Sequence, residues 1–124
     1  MTTNTTAQTQ AVLARHTQAL MSGDMDAVMR NFAQDAAVFV KGETLRGHAQ
    51  IRAFLEHGMN NLPPGYMNNF EVLWQDFDGP VAYLVYKAEP FVALGTDTWI
   101  VRDDKIIAQT YTAYPAYPAQ KEEG

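Results

Sequence analysis

Past Pro63-Pro64-Gly65 the hydrophobic period of the chain turns from mainly helical to strand-like, and this change restricts the fold more than any single residue does. Before it, apolar residues recur at helical spacing. After it they follow strand-like segments at about Met67 to Phe77, Pro80 to Glu89, Phe91 to Arg102 and Lys105 to Tyr114. Asp78-Gly79 and Asp103-Asp104 are tight hairpin signals, and Pro90 marks a bend or an edge irregularity. Helices followed by a strand meander predict segregated α+β packing rather than alternating strand-helix-strand units.

In the first half, Val12, Leu13, Ala19 and Leu20, joined by His16 as a polar member, give one apolar face to a helix from Gln8 to Met21. Gly23 supplies a left-handed exit and Asp24 a cap for a short second helix carrying Met25, Val28, Met29 and Phe32. Val38-Phe39-Val40 reads as a strand, Lys41-Gly42-Glu43 as a turn, and Gly47 as the corner before a third helix around His48 to Met59. That helix places Ile51, Phe54 and Leu55 on one side and an Arg52/Glu56 pair outside. The expectation is one domain over residues 8–114, a flexible stretch at 1–7 and a surface tail at 115–124.

The composition excludes several classes of function. Hydrophobic residues at 47% are enough for a core across 124 residues, and the formal net charge of -5 with scattered basic residues argues against nucleic acid as a partner. No cysteine means no disulfide, thiolate metal site or cysteine nucleophile, and makes a reducing cytoplasm the expected location. No stretch reads as a secretory signal or a membrane span. The three histidines are dispersed, the acids follow no recognised ligand spacing, and the glycines form no phosphate loop, so neither a metal nor a cofactor is expected.

The Phe91 to Arg102 strand is apolar on both alternating sets: Val92, Leu94 and Ile100 on one, Phe91, Ala93, Trp99 and Val101 on the other. One face then meets the helices and lines a pocket, while the other pairs with a second subunit, so a homodimer is expected; a thick monomer core gives the same pattern.

Ala14-Arg15-His16, Ser22 to Val28, Phe32 to Phe39, Leu45 to Phe54 and Asp97 to Val101 together resemble the nuclear-transport-factor-2-like superfamily, in its ketosteroid-isomerase-like and SnoaL-like branches. The resemblance implies a cone: a strongly curved antiparallel sheet covered by three N-terminal helices, often paired through sheet surfaces, with a pocket opening into it. The family includes isomerases, dehydratases, epoxide hydrolases, polyketide cyclases and noncatalytic binding modules, so shape alone does not select a reaction. Matched to the isomerases, His16 takes the place of the helix-one tyrosine that stabilises the enolate. The place of the proton-shuttling aspartate falls on Val40, which cannot abstract a proton. The further pocket acid falls near Leu94 to Asp97.

His16 is the first candidate for proton transfer, since imidazole exchanges a proton near neutral pH; the plainer reading is a polar contact on a buried helix face. Asp97 interrupts a bulky strand and is the best late-strand acid, set against a solvent-facing or backbone-tying role. Trp74, Tyr83 and Trp99, with Val40, are the candidate ligand-binding residues, although core packing explains each aromatic singly. Tyr66, Tyr86 and Tyr111 add phenols whose hydroxyls the sequence does not bring to a common point. The leading expectation is a small hydrophobic or cyclic ligand in a hydrophobic pocket. The alternatives are a cofactor-independent isomerase, dehydratase or polyketide-type cyclase using His16 and Asp97, and a noncatalytic homodimeric interaction module.

Overall fold

Thr5 starts the first helix by a reciprocal cap: its hydroxyl accepts from the Gln8 amide at 3.1 Å, and the Gln8 side chain accepts from the Thr5 amide at 2.8 Å. The helix, α1 (Thr6–Ser22), ends where Gly23 takes a left-handed φ of 76°, and Asp24 then caps α2 (Met25–Arg30) through the Ala27 amide. Both junctions are as the sequence predicts. The structure, a computed structural model, describes residues 5–115. Of the expected tail, 116–124 lies outside the described residues, as does 1–4 of the expected flexible start. Thr6 and Ala7 are already helical.

α2 ends earlier than its apolar pattern suggests. Phe32 is the first residue of β1 (Phe32–Val40), because Ile106 donates its amide to the Asn31 carbonyl at 2.7 Å and pairs with Phe32. β2 (Glu43–Arg46), α3 (Gly47–Asn60) and a short 3-10 turn (Met67–Asn69) follow. The meander is then β3 (Phe70–Asp78), β4 (Val81–Ala88), β5 (Val92–Arg102) and β6 (Lys105–Pro115). The hairpins between β3 and β4 and between β5 and β6 turn where Asp78-Gly79 and Asp103-Asp104 predict.

The six strands form one sheet in the order β2-β1-β6-β5-β4-β3. The fold class is α+β, but three features of the expected cone are corrected. First, β1 runs parallel to β6, so the sheet is mixed rather than antiparallel throughout. Second, β2 and β3 are free edges at opposite ends, and the register shifts bend single strands without bringing these edges together; the sheet is open, neither strongly curled nor closed. Third, α3 follows the first hairpin, so only two of the three helices are N-terminal.

The helices cover one face, here the inner face. α1 packs on β3 and β4, α3 on β1 and β2, and α2 lies between α1, α3 and β1. Val12, Leu13, Val28, Met29 and Ile51 from the helices bury against Phe32, Val38, Ala82, Trp99, Val101 and Ile106 of the sheet. Each large apolar side chain so buried contributes roughly 1.5–3 kcal/mol. A second cluster joins Tyr86, Ala88 and Val92 to Tyr66, Phe70 and Phe91. The register shift between Val92 and Leu94 lets Val92 join this buried cluster while Leu94 remains exposed.

Candidate functional site

Register places one row of residues across the inner face: Val40 on β1, Tyr111 on β6, Asp97 on β5, Leu84 on β4 and Gln75 on β3. The neighbouring row reads Val38, Gln109, Trp99, Ala82 and Phe77. Asp97 and Trp99 are thus two residues apart on the same side of β5, both buried. Val40 is half-buried and packs against the core.

Asp97 is 9% exposed. Its one side-chain hydrogen bond among the described residues is long: Gln109 Nε2 donates to Oδ1 at 3.5 Å. Desolvation raises its carboxyl from 3.8 to about 7, and the Gln109 bond pulls weakly the other way. No cation offsets the burial, since Asp97 has no ion pair among the described residues.

Three phenols complete this cluster. Tyr86 is within hydrogen-bonding reach of Tyr66 and of Tyr111, and burial raises the pKa of all three, with the charge of Asp97 adding to each. They therefore stay protonated as donors. Phe70 stacks on the Tyr86 ring with centroids 4.7 Å apart, and Phe54 meets Tyr111 edge-on at 6.1 Å. Gly95 makes room for Tyr86: a Cβ there would lie 2.6 Å from the Tyr86 hydroxyl oxygen. Gly95, Gln109 and the trio of tyrosines are what sequence reasoning does not assemble.

His16 is elsewhere in the core. It is 2% exposed on the inner side of α1, its ring edge-on to Phe32 with centroids 5.4 Å apart. Asn31 Oδ1 accepts from Arg15 Nε at 2.7 Å, which turns the Asn31 amide nitrogen to His16 Nδ1 at 3.3 Å. Nδ1 is then an acceptor, and the proton sits on Nε2. Burial, aided by the charge of Arg15, lowers His16 from 6.5 to about 4. His16 and Asp97 share no hydrogen bond among the described residues.

The four residues expected to bind ligand divide between the two faces. Val40 and Trp99 are on the inner face with Asp97. Trp74 pairs with Val85 and Tyr83 with Thr98, in the outward-facing set, and they are 57% and 37% exposed. They share that face with exposed Val81, Ile100, Phe39 and Leu94. Trp99 Nε1 is buried without an acceptor among the described residues. No group of three metal-ligating side chains occurs among the described residues, and no helix there is long and apolar enough to cross a membrane.

Solved structures share this arrangement of elements. An NTF2-like protein from Burkholderia xenovorans is 23% identical over 91% of this chain and 88% of its own, with a TM-score of 0.69. A candidate ketosteroid isomerase from Kribbella flavida is 19% identical over 97% of this chain and 87% of its own, at 0.70. A candidate polyketide cyclase from Sinorhizobium meliloti is 19% identical over 82% and 94%, at 0.66. At these identities the likeness establishes the fold alone. Among curated proteins none matches the sequence significantly. The SnoaL-like domain family matches residues 13–109, a span that contains the whole of the Asp97 row except Tyr111. The chain therefore belongs to the SnoaL-like family of the NTF2-like superfamily.

Proposed function

We propose that the chain binds a small, uncharged hydrophobic or cyclic molecule on the inner face of the sheet, with Asp97 as its polar anchor. The observation that carries this reading is a buried carboxyl, pushed up to about 7, beside three protonated phenols and with no ion pair among the described residues. Such a set is rich in donors and poor in positive charge, which suits a carbonyl or hydroxyl oxygen better than an anion. Val40, Leu84 and Phe54 offer apolar surface on the same side. Trp74 and Tyr83 belong in this reading to the outer face, where with Ile100 and Leu94 they support pairing of two chains through their sheets.

A screen of neutral cyclic ketones and phenols by thermal shift, followed by calorimetry, tests the reading. The expected result is saturation at one molecule per chain, with affinity about tenfold weaker in Asp97→Ala at unchanged fold, as for loss of one charge-assisted or buried hydrogen bond. Binding indifferent to Asp97→Ala, or no binder at all, counts against it.

Acid/base catalysis is the second reading, and it rests on the Asp97 value of about 7, close to the pH at which a carboxyl both gives and takes a proton. In this reading Asp97 moves the proton and His16 supports the core. The match that puts Val40 at the isomerase aspartate disfavours ordinary ketosteroid isomerisation, and a turnover profile with a turning point near Asp97's own titration is the expected signature.

A further inference from the structure

The basic residues, dispersed along the sequence, converge in the fold. Arg30, Arg52, Lys105 and His48 line a cleft of about 590 Å³ bounded by α2, α3 and the starts of β1 and β6, with Met29, Phe32 and Ala33 as its apolar wall and Asp26 as its acid. An adjoining cleft of about 430 Å³ shares Arg30 and Lys105 and adds Arg15 and Asp104. Four of the nine Lys and Arg residues of a chain with net charge -5 thus meet at two neighbouring clefts. None of the residues of the larger cleft belongs to the Asp97 cluster.

Their charges are not equally free. Arg52 is held by Asp26 at 2.8 Å and Glu56 at 2.9 Å, and Arg15 by Asp104 at 3.5 Å. Lys105 Nζ donates at 2.6 Å to the main-chain carbonyl of Arg30, which fixes the ammonium without cancelling its charge. The Arg30 guanidinium makes no side-chain hydrogen bond or ion pair among the described residues. His48 donates from Nε2 to the Phe32 carbonyl at 2.9 Å, which fixes its ring at the cleft. Arg30 and Lys105 are thus the two cations of the cleft with no ion pair among the described residues.

We infer that this cleft is a second binding site, for a small carboxylate with an apolar body. The planar fork of Arg30 receives the carboxylate by two parallel hydrogen bonds, Lys105 adds charge, and the apolar body lies on half-buried Ala33, over the buried Met29 and Phe32 at the floor of the cleft. Asp26 opposes a second negative charge on the ligand, which favours a monoanion over a phosphate dianion.

The test is a titration of the full chain with benzoate, followed by amide NMR, with uncharged benzamide as the control of similar shape. Benzoate is expected to shift Met29 to Ala33 and Lys105 saturably, and benzamide to leave them unmoved. Arg30→Gln should weaken benzoate about tenfold, with Arg30→Lys retaining part of the affinity, as expected for a charge-assisted pair at a partly exposed site. The exposed position of Arg30 lets both variants fold, which unchanged spectra away from the cleft verify. Equal benzoate affinity in Arg30→Gln, equal binding of benzamide, shifts confined to the Asp97 row, or no shift at the solubility limit would each overturn the inference.

Discussion

His16 and Asp97 are both buried on the inner side of the fold, and burial pushes both towards neutrality, yet the outcomes differ. For a histidine the neutral form is also the ordinary form above about pH 6.5, and the Asn31 amide is already placed to donate to it. His16 therefore rests in its ground state, as a core residue with a satisfied nitrogen. For an aspartate the neutral form is the unusual one at neutral pH, and the one donor present is 3.5 Å away. Equal burial thus leaves one group settled and the other poised, which is why the second is the stronger candidate for binding or proton transfer.

The two groups also act oppositely on stability. An acid with its pKa raised by folding costs nothing below its ordinary value of 3.8, costs more as pH rises, and carries its full penalty above about 7. A base with its pKa lowered costs nothing above 6.5 and carries its full penalty below about 4. Between those limits the slopes oppose and nearly cancel.

Asp97→Asn removes one slope and has the largest expected effect: up to about 4 kcal/mol of added stability at about pH 8, and almost none near pH 3. Urea unfolding across that range measures it. What remains should lose stability steadily as pH falls from 6.5 to about 4, the His16 contribution seen alone. A loss of stability at high pH instead would mean that the carboxylate is paired in the fold, and the contrast with His16 would collapse.

His16→Gln comes next. Glutamine keeps an acceptor for Asn31 but does not titrate, so the variant should escape an acid-side loss of about 3 kcal/mol, less a packing cost against Phe32. Its stability should then fall from about pH 4 towards 7, the reverse of Asp97→Asn. The same urea series shows whether the two profiles mirror one another; an unchanged acid-side loss would place its origin in groups other than His16.

Much of this fold was readable where the signal is local. Gly23, Asp24 and the two aspartate turns act through their own backbone, and they fell where expected. The resemblance pointed to Val40 and to the stretch from Leu94 to Asp97, and the register sets Val40 and Asp97 in one row. The partners of Asp97 were not readable, because counting outward from the Arg102/Lys105 pair sets Thr110 opposite Asp97, and only the register shift between Ile100 and Val101 brings Tyr111 there. The face that carries Trp74 and Tyr83 was not readable for a related reason: both faces of the meander are apolar, so alternation separates the faces without saying which one meets the helices. The parallel pairing of β1 with β6 joins segments far apart in sequence, and so does the convergence of Arg30 with Lys105; neither leaves a periodic trace.

The smallest expected effect concerns the donor that Asp97 does have. Gln109 lies beside Trp99 in the next row, and its amide reaches Asp97 Oδ1 at a length where a hydrogen bond has lost much of its strength. Gln109→Leu should therefore raise the Asp97 pKa above about 7, since the bond now favours the charged form, but only slightly. The stability change at about pH 8 should stay below about 1 kcal/mol, and should vanish once Asp97 is protonated. Carboxyl NMR of Asp97 through its titration measures this directly. A large upward move would show that Gln109 holds the carboxylate much as Asn31 holds His16, and the two buried groups would then be alike in having a committed partner. A small one leaves Asp97 the group whose hydrogen-bonding capacity is still to be filled by what binds.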